Sequence, residues 1–137
     1  MNVIVCVDDE FGMLFNGRRQ SRDKCVISDI ITTAKESGAR LYALPFSQKL
    51  LAPYPEFEIR ADIMSRAKAG EYVFVESEPL LSVVKKIDKL IIYKWNRLYP
   101  SDQKLDTHPD LYGFKLKESY EFAGNSHELI TKEVYER

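Results

Sequence analysis

The run Val3 to Val7 (VIVCV) is apolar without interruption and rich in β-branched residues. A strand with one wet face alternates apolar and polar side chains. A run with no alternation suits a strand covered on both faces, in the interior of a largely parallel sheet with helices packed on either side. Asp8, Asp9 and Glu10 end the run, and Phe11-Gly12 turns the chain. This one feature commits the chain to a layered α/β design.

The rest of the pattern agrees. Asp8, Asp9, Gly12, Asn16 and Gly17 predict a loop. Asp23 can cap a helix that carries Val26, Ile27, Ile30, Ile31 and Ala34 on one face and stops at Gly38. Arg40 to Leu44 reads as a second strand ended by Pro45, and Ser47 to Leu51 as a short helix. Pro53 and Pro55 enforce an extended crossing. Asp62 opens a short helix with Ile63, Met64 and Ala67 inward, closed by Gly70. Glu71 to Val75 is a strand, Pro79 to Val84 a helical turn, and Lys89 to Trp95 the strongest strand of the chain. Phe114, Leu116, Glu118, Tyr120 and Phe122 then repeat every second residue, Ala123 to Ser126 is a turn, and Leu129 to Tyr135 resumes as a strand. That is a long antiparallel hairpin. The prediction is one α/β domain over residues 1–137, with a mostly parallel central sheet flanked by helices and a C-terminal antiparallel hairpin.

Composition excludes several functions. With 20 Lys and Arg against 21 Asp and Glu, the net charge of -1 gives no global attraction to polyanions, so extended nucleic-acid contacts are not expected. No apolar run approaches a membrane span and no secretory signal is present, so the expected location is cytoplasmic. Cys6 and Cys25 have neither metal nor disulfide spacing and read as reduced thiols. His108 and His127 are too few for a histidine-rich zinc site, and no metal site is expected. Neither a Walker-type loop nor a glycine-flanked serine nucleophile is found.

Four segments resemble the dihydrofolate reductase family. The opening VIVCVDDEFGMLFNG is similar to that family's first strand and its "G-(I/M)-x-x-N-G" loop, which closes over the active site. Ile87 to Asp106 (IDKLIIYKWNRLYPSDQKLD) resembles the "A-D-x-L-Y-L-T … G-D-T-x-F-P" strand and loop, with Asp102 on the loop aspartate. Phe114 to Phe122 (FKLKESYEF) is similar to "W-x-L-V-x-x-E-x-F", and Thr131 to Arg137 (TKEVYER) to "F-x-V-Y-E-R". The shared order and spacing imply a dihydrofolate reductase-like fold.

Departures from the family fall on its functional residues. The family's pterin-holding acid would align with Cys25 or Val26; Asp23 and Asp29 lie nearby and are the candidate replacement acids. Where the family has "M-G-R-x-T" for its cofactor, this chain has ALPFS, and only Ser47 can replace the threonine. Where the family has Gly-Gly, with a helix N-terminus aimed at the pyrophosphate, this chain has FVESEP, with Glu76 and Glu78. No cofactor is therefore expected, and NADPH enters only if the chain is a reductase of altered cofactor binding.

Two further clusters are candidate ligand sites. Arg18, Arg19 and Arg22, with Lys24, form the main basic patch, suited to bidentate contacts with a phosphate or carboxylate. Lys94, Trp95 and Arg97 join a stacking surface to two cations at a strand end, where ligands of open α/β sheets collect. The competing reading has these charges facing water and Tyr93 and Trp95 capping the core. His127, in the hairpin turn, is expected to be exposed. The leading function is binding of a small anionic or heterocyclic ligand in the cleft between the opening loop, the first helix and the central strands, without ordinary NADPH-dependent dihydrofolate reduction. The alternatives are a divergent pterin, folate or pyrimidine reductase using a nicotinamide cofactor, and an RNA- or protein-interaction module using the arginine loop. Oligomeric state is not readable from the sequence.

Overall fold

A computed structural model describes all 137 residues. Seven strands form the main sheet: β1 (Asn2–Val7), β4 (Leu41–Ala43), β5 (Glu58–Ile59), β6 (Tyr72–Phe74), β7 (Lys89–Lys94), β9 (Lys115–Phe122) and β10 (Ile130–Glu136). Their order is β5-β4-β6-β1-β7-β10-β9. The first five of that order run parallel, and β10 is antiparallel to both β7 and β9. Strand β1 lies between β6 and β7 as its unbroken apolar run demands. Val3, Val5 and Val7 enter a core layer with Met13, Leu14, Val73, Leu90 and Ile92. Ile4 enters the opposite layer with Val26, Ile27, Ile30, Phe74, Ile91, Tyr93 and Trp95.

Helix α1 (Lys24–Glu36) covers that second layer. Asp23 is its N-cap and accepts from the Cys25 N–H, and Val26, Ile27, Ile30 and Ala34 form its buried face. Each fully buried aliphatic side chain contributes roughly 1.5–3 kcal/mol, so this face, with the Asp23 cap, seats the helix firmly on the sheet. The helix ends where Gly38 takes φ +62 and returns its N–H to Lys35 O. Helices α2 (Gln48–Leu51) and α3 (Ile63–Arg66) are single turns, and residues Leu81–Lys86 form a 3-10 segment near the expected helical turn. No helix is long and apolar enough to cross a membrane.

One expectation needs correction. The segment after β1 is not simply a loop. Strands β2 (Gly12–Phe15), β3 (Arg18–Arg19) and β8 (Gln103–Lys104) form a second sheet in the order β3-β2-β8. Asn16 and Gly17 adopt φ 51 and 70, the pair of positive values a two-residue hairpin turn requires, and the chain reverses there. Gly12 is needed for a different reason: a Cβ there would sit 2.6 Å from the Gln20 amide and 2.7 Å from Asp8 Oδ2.

Candidate functional site

The carboxyl ends of β1, β6 and β7 converge with α1 on a cleft. Its inner half is filled. Cys6, Ser21, Asp23, Val26, Phe74, Glu76 and Trp95 surround a cavity of ≈ 10 Å³. That is room for about one water molecule, whereas small-ligand sites take about 300–1,000 Å³. Burial pushes the Cys6 thiol well above its ordinary value, so it is no nucleophile at neutral pH.

Glu76, just after β6, is one of two carboxylates in this inner half, with Asp23. Arg19 grips it with both arms, Nε to Oε2 at 2.8 Å and an Nη to Oε1 at 2.9 Å. Ser47 donates to the same Oε1 at 2.6 Å. The bond to Glu76 raises the Arg19 pKa further above its ordinary value. The Arg19 guanidinium also lies 5.5 Å over the Phe46 ring. Arg19 and Ser47, both read from the sequence as ligand contacts, are thus engaged by a carboxylate of the chain itself.

Asp23 is buried, and its carboxylate organises the junction of α1 with the β9–β10 turn. It accepts from the N–H groups of Cys25 (2.9 Å), Asn125 (3.0 Å) and Ser126 (2.9 Å), and from His127 Nδ1 (3.1 Å). Burial alone would raise its pKa; the donors from Asn125, Ser126, His127 and Cys25 outweigh burial and hold it well below the usual carboxylate range. A carboxylate held ionised in this way is an anchor and cannot serve as a proton-donating acid. Gly124 lies against it, where a Cβ would come within 2.4 Å of Asp23 Oδ2.

His127 departs from expectation. It is 7% exposed, its ring stacks on Trp95 at 4.7 Å between centroids, and its Nε2 meets Tyr99 OH at 2.9 Å and Ser21 Oγ at 3.2 Å. Turn position alone suggested exposure. The signal that could have located it is the pairing of a buried helix cap with an adjacent Gly-Asn-Ser-His turn.

The remaining candidates are dispersed. Asp29 accepts from Tyr93 OH at 2.6 Å and Lys132 Nζ at 2.9 Å, and it faces a polar groove between α1 and the hairpin. It does not share the inner cavity with Asp23. Trp95 is buried with Tyr93 in the α1-side core, while its strand neighbour Lys94 points to the other sheet face and pairs with Glu133 at 3.0 Å. Arg97 is exposed, and its carbonyl accepts from Asp9 N–H at 3.1 Å. Arg18 is exposed on β3. The structure therefore does not bring Lys94 or Arg97 to Trp95 as one stacking and anion site. Nor does it gather three His, Cys, Asp or Glu side chains that could hold a metal ion.

The outer half of the cleft is open. A groove of ≈ 360 Å³ runs between α1 and α2, lined by Ile27, Leu50, Pro53 and Tyr54 on its apolar side and by Arg22, Lys24, Asn125 and Ser126 on its polar side. It shares Arg22, Asp23, Ile27 and Leu50 with the filled inner cavity. Arg22 and Lys24 were read as part of the basic patch. Pro53 and Tyr54 were not anticipated, because nothing local in a proline-rich crossing says that it forms the wall of a groove.

No family model matches the chain, and no curated protein matches it by sequence. Among solved structures, it is similar to a dihydrofolate reductase from Enterococcus faecalis complexed with NADP(H) and RAB-propyl. The TM-score is 0.69 at 11% identity, covering 99% of this chain and 95% of that one. The fold is thus dihydrofolate reductase-like: a mixed α/β domain with a mostly parallel central sheet and C-terminal antiparallel strands. The stretch Phe74 to Pro79 is the one that the sequence resemblance puts at the pyrophosphate-binding glycines. It carries Glu76 and Glu78 in place of glycines, and Glu76 is bonded to Arg19 and Ser47.

Proposed function

We propose that this protein binds a small anionic aromatic or heterocyclic ligand in the outer half of the cleft and is not an NADPH-dependent dihydrofolate reductase. The observation that carries this reading is the contrast within one cleft. The inner half has ≈ 10 Å³ of space and an internal ion pair, while the outer half has ≈ 360 Å³ and two exposed cations. Tyr54 and Pro53 offer a flat apolar wall for a ring, and Arg22 and Lys24 offer charge for a carboxylate or phosphate. The volume falls in the range of small-molecule sites. The reductase alternative lacks support in this geometry: Asp23 is held ionised by its donors, Asp29 is bonded to Lys132 and Tyr93, and Ser47 is bonded to Glu76.

The test is a thermal-shift screen of folates, nucleotides and small aromatic phosphates on the native protein and on Arg22→Ala/Lys24→Ala. A ligand at about 100 times its Kd stabilises by ~2.7 kcal/mol, which for a domain of this size raises Tm by roughly 5–10 °C. The expected result is a shift in the native protein that falls by more than half in the double variant. Equal shifts in both would sink the assignment to this groove. A screen in which nothing shifts the native protein would favour the interaction-module alternative.

A further inference from the structure

The residues that pin the hairpin turn to α1 also form an ordered proton-transfer chain that ends on a serine. Asp23 Oδ2 lies 3.1 Å from His127 Nδ1, and His127 Nε2 lies 3.2 Å from Ser21 Oγ. Asp23 is ionised, so it accepts and Nδ1 must carry the proton. In the neutral ring Nε2 is then left as an acceptor that faces both the Ser21 hydroxyl and the Tyr99 hydroxyl. The ring is held from its face by Trp95, on which it stacks at 4.7 Å. Ser21 itself is half-buried and lines the inner cavity, and the two residues that follow it, Arg22 and Asp23, line both that cavity and the outer groove.

We infer that Ser21 is an activated nucleophile, with His127 as its general base and Asp23 as the group that orients the base, and that it cleaves a small acyl ester or thioester whose anionic or aromatic end lies in the outer groove. The seating of that end rests on the ligand-binding reading above; the reactivity of Ser21 does not. The carboxylate–imidazole–hydroxyl order is the arrangement that lets a neutral serine attack a carbonyl at neutral pH. Ser21 Oγ bonds to the carbonyl carbon while its proton passes to Nε2. The same proton then goes to the leaving alkoxide or thiolate. Water attacks the acyl-serine in turn, gives its proton to Nε2, and the acid departs as Ser21 recovers its hydrogen. Tyr99 fits this chemistry as well. Its hydroxyl is 2.9 Å from the same Nε2, and once Nε2 has taken the Ser21 proton that hydroxyl is released to donate to the oxyanion.

A network that is only structural would hold the hairpin just as well and leave Ser21 as inert as any surface serine. The two are told apart by treating the native protein with a small neutral alkyl fluorophosphonate and reading intact mass and the modified peptide. Ser21 Oγ displaces fluoride from phosphorus, and its proton leaves through His127. The expected result is one adduct per chain, mapped to Ser21 and lost in Ser21→Ala. Labelling should slow about 100-fold or more in His127→Gln, the order that general-base assistance provides, and roughly tenfold in Tyr99→Phe. No adduct at Ser21 in the native protein, or equal rates in native and His127→Gln proteins, would overturn the inference. Should His127→Gln fail to fold, Ser21→Cys substitutes for it. Its thiol is expected to react with iodoacetamide at pH 6.5 at least tenfold faster than Cys25, and an equal rate would overturn the inference too. The probe is small and uncharged, so it does not need Arg22 or Lys24. Its failure leaves the groove reading standing, and failure of the ligand screen leaves the serine chemistry standing.

Discussion

The inner and outer halves of the cleft are built from neighbouring residues and dispose of their charges in opposite ways. In the inner half each charge is answered from within: Glu76 by Arg19 and Ser47, Asp23 by the backbone of the hairpin turn and by His127. In the outer half Arg22 and Lys24 are exposed and have no carboxylate within ion-pair distance. The difference separates stability from binding. Inner charges bond to their own chain and fix the seams between sheet, helix and hairpin. Outer charges are available to something else. A family resemblance alone would have pointed to the inner half as the place to look for a ligand.

The largest effect that could break this contrast is at Asp23. Asp23→Ala leaves three backbone N–H groups and the His127 ring without their acceptor in a buried place, and loss of such a hub costs about 3–5 kcal/mol. Urea denaturation should show a large fall in midpoint with an unchanged m-value. A loss below 1 kcal/mol would mean that the turn is held by something else.

Glu76→Ala should come next. It strands Arg19, which is partly exposed, and Ser47, so the cost is about 1–3 kcal/mol after solvent screening. A double-mutant cycle with Arg19→Ala should return a coupling of about 1 kcal/mol. Zero coupling would remove the internal pair as the reason the inner half is shut.

Acid should act on the inner half in a predictable direction. The Asp23 carboxyl is held low against the burial that would raise it, and the Asp8 carboxyl likewise, by the N–H groups of Gly12, Glu10 and Tyr99. A folded-state pKa below the unfolded value of about 3.9 stabilises fully above that value, and the gain is lost as pH falls toward the folded value. The unfolding free energy should therefore hold level from about pH 7 to 5 and fall below about pH 4. Asp23→Ala should flatten the acid limb. An unchanged acid limb in that variant would contradict the donor count at Asp23.

The smallest effect is the most diagnostic of the outer half. Arg22→Ala/Lys24→Ala should change stability by less than about 0.5 kcal/mol, because exposed side chains without partners contribute little. A loss of 2 kcal/mol would show that these cations are structural after all.

What the sequence made legible follows from the range of the forces involved. The unbroken run Val3–Val7, the cap at Asp23 and the period-two pattern after Phe114 are local signals, and β1, α1 and the C-terminal hairpin stand where those signals put them. Asn16-Gly17 carries the hairpin signature of β2 and β3, but the flanking strands are too short to show a period, so the segment has the sequence pattern of a loop. The site was less legible because its bonds span the chain. Arg19 meets Glu76 across 57 positions and Asp23 meets His127 across 104, and no window of sequence reports such pairs. Arginine density marks the basic patch in the sequence, but does not say that Arg19 turns inward to Glu76 while Arg18 and Arg22 stay in water.

On the proposed reading, the Glu76 carboxylate, bonded to Arg19 and Ser47, closes the inner half of the cleft to a dinucleotide. Calorimetric titration of the native protein with NADPH near neutral pH tests it directly. No binding tighter than millimolar is expected, that is, nothing stronger than about -4 kcal/mol. A micromolar Kd, about -8 kcal/mol, would require Glu76 to release Arg19 and Ser47 to the cofactor and would show that the carboxylate does not close the cleft.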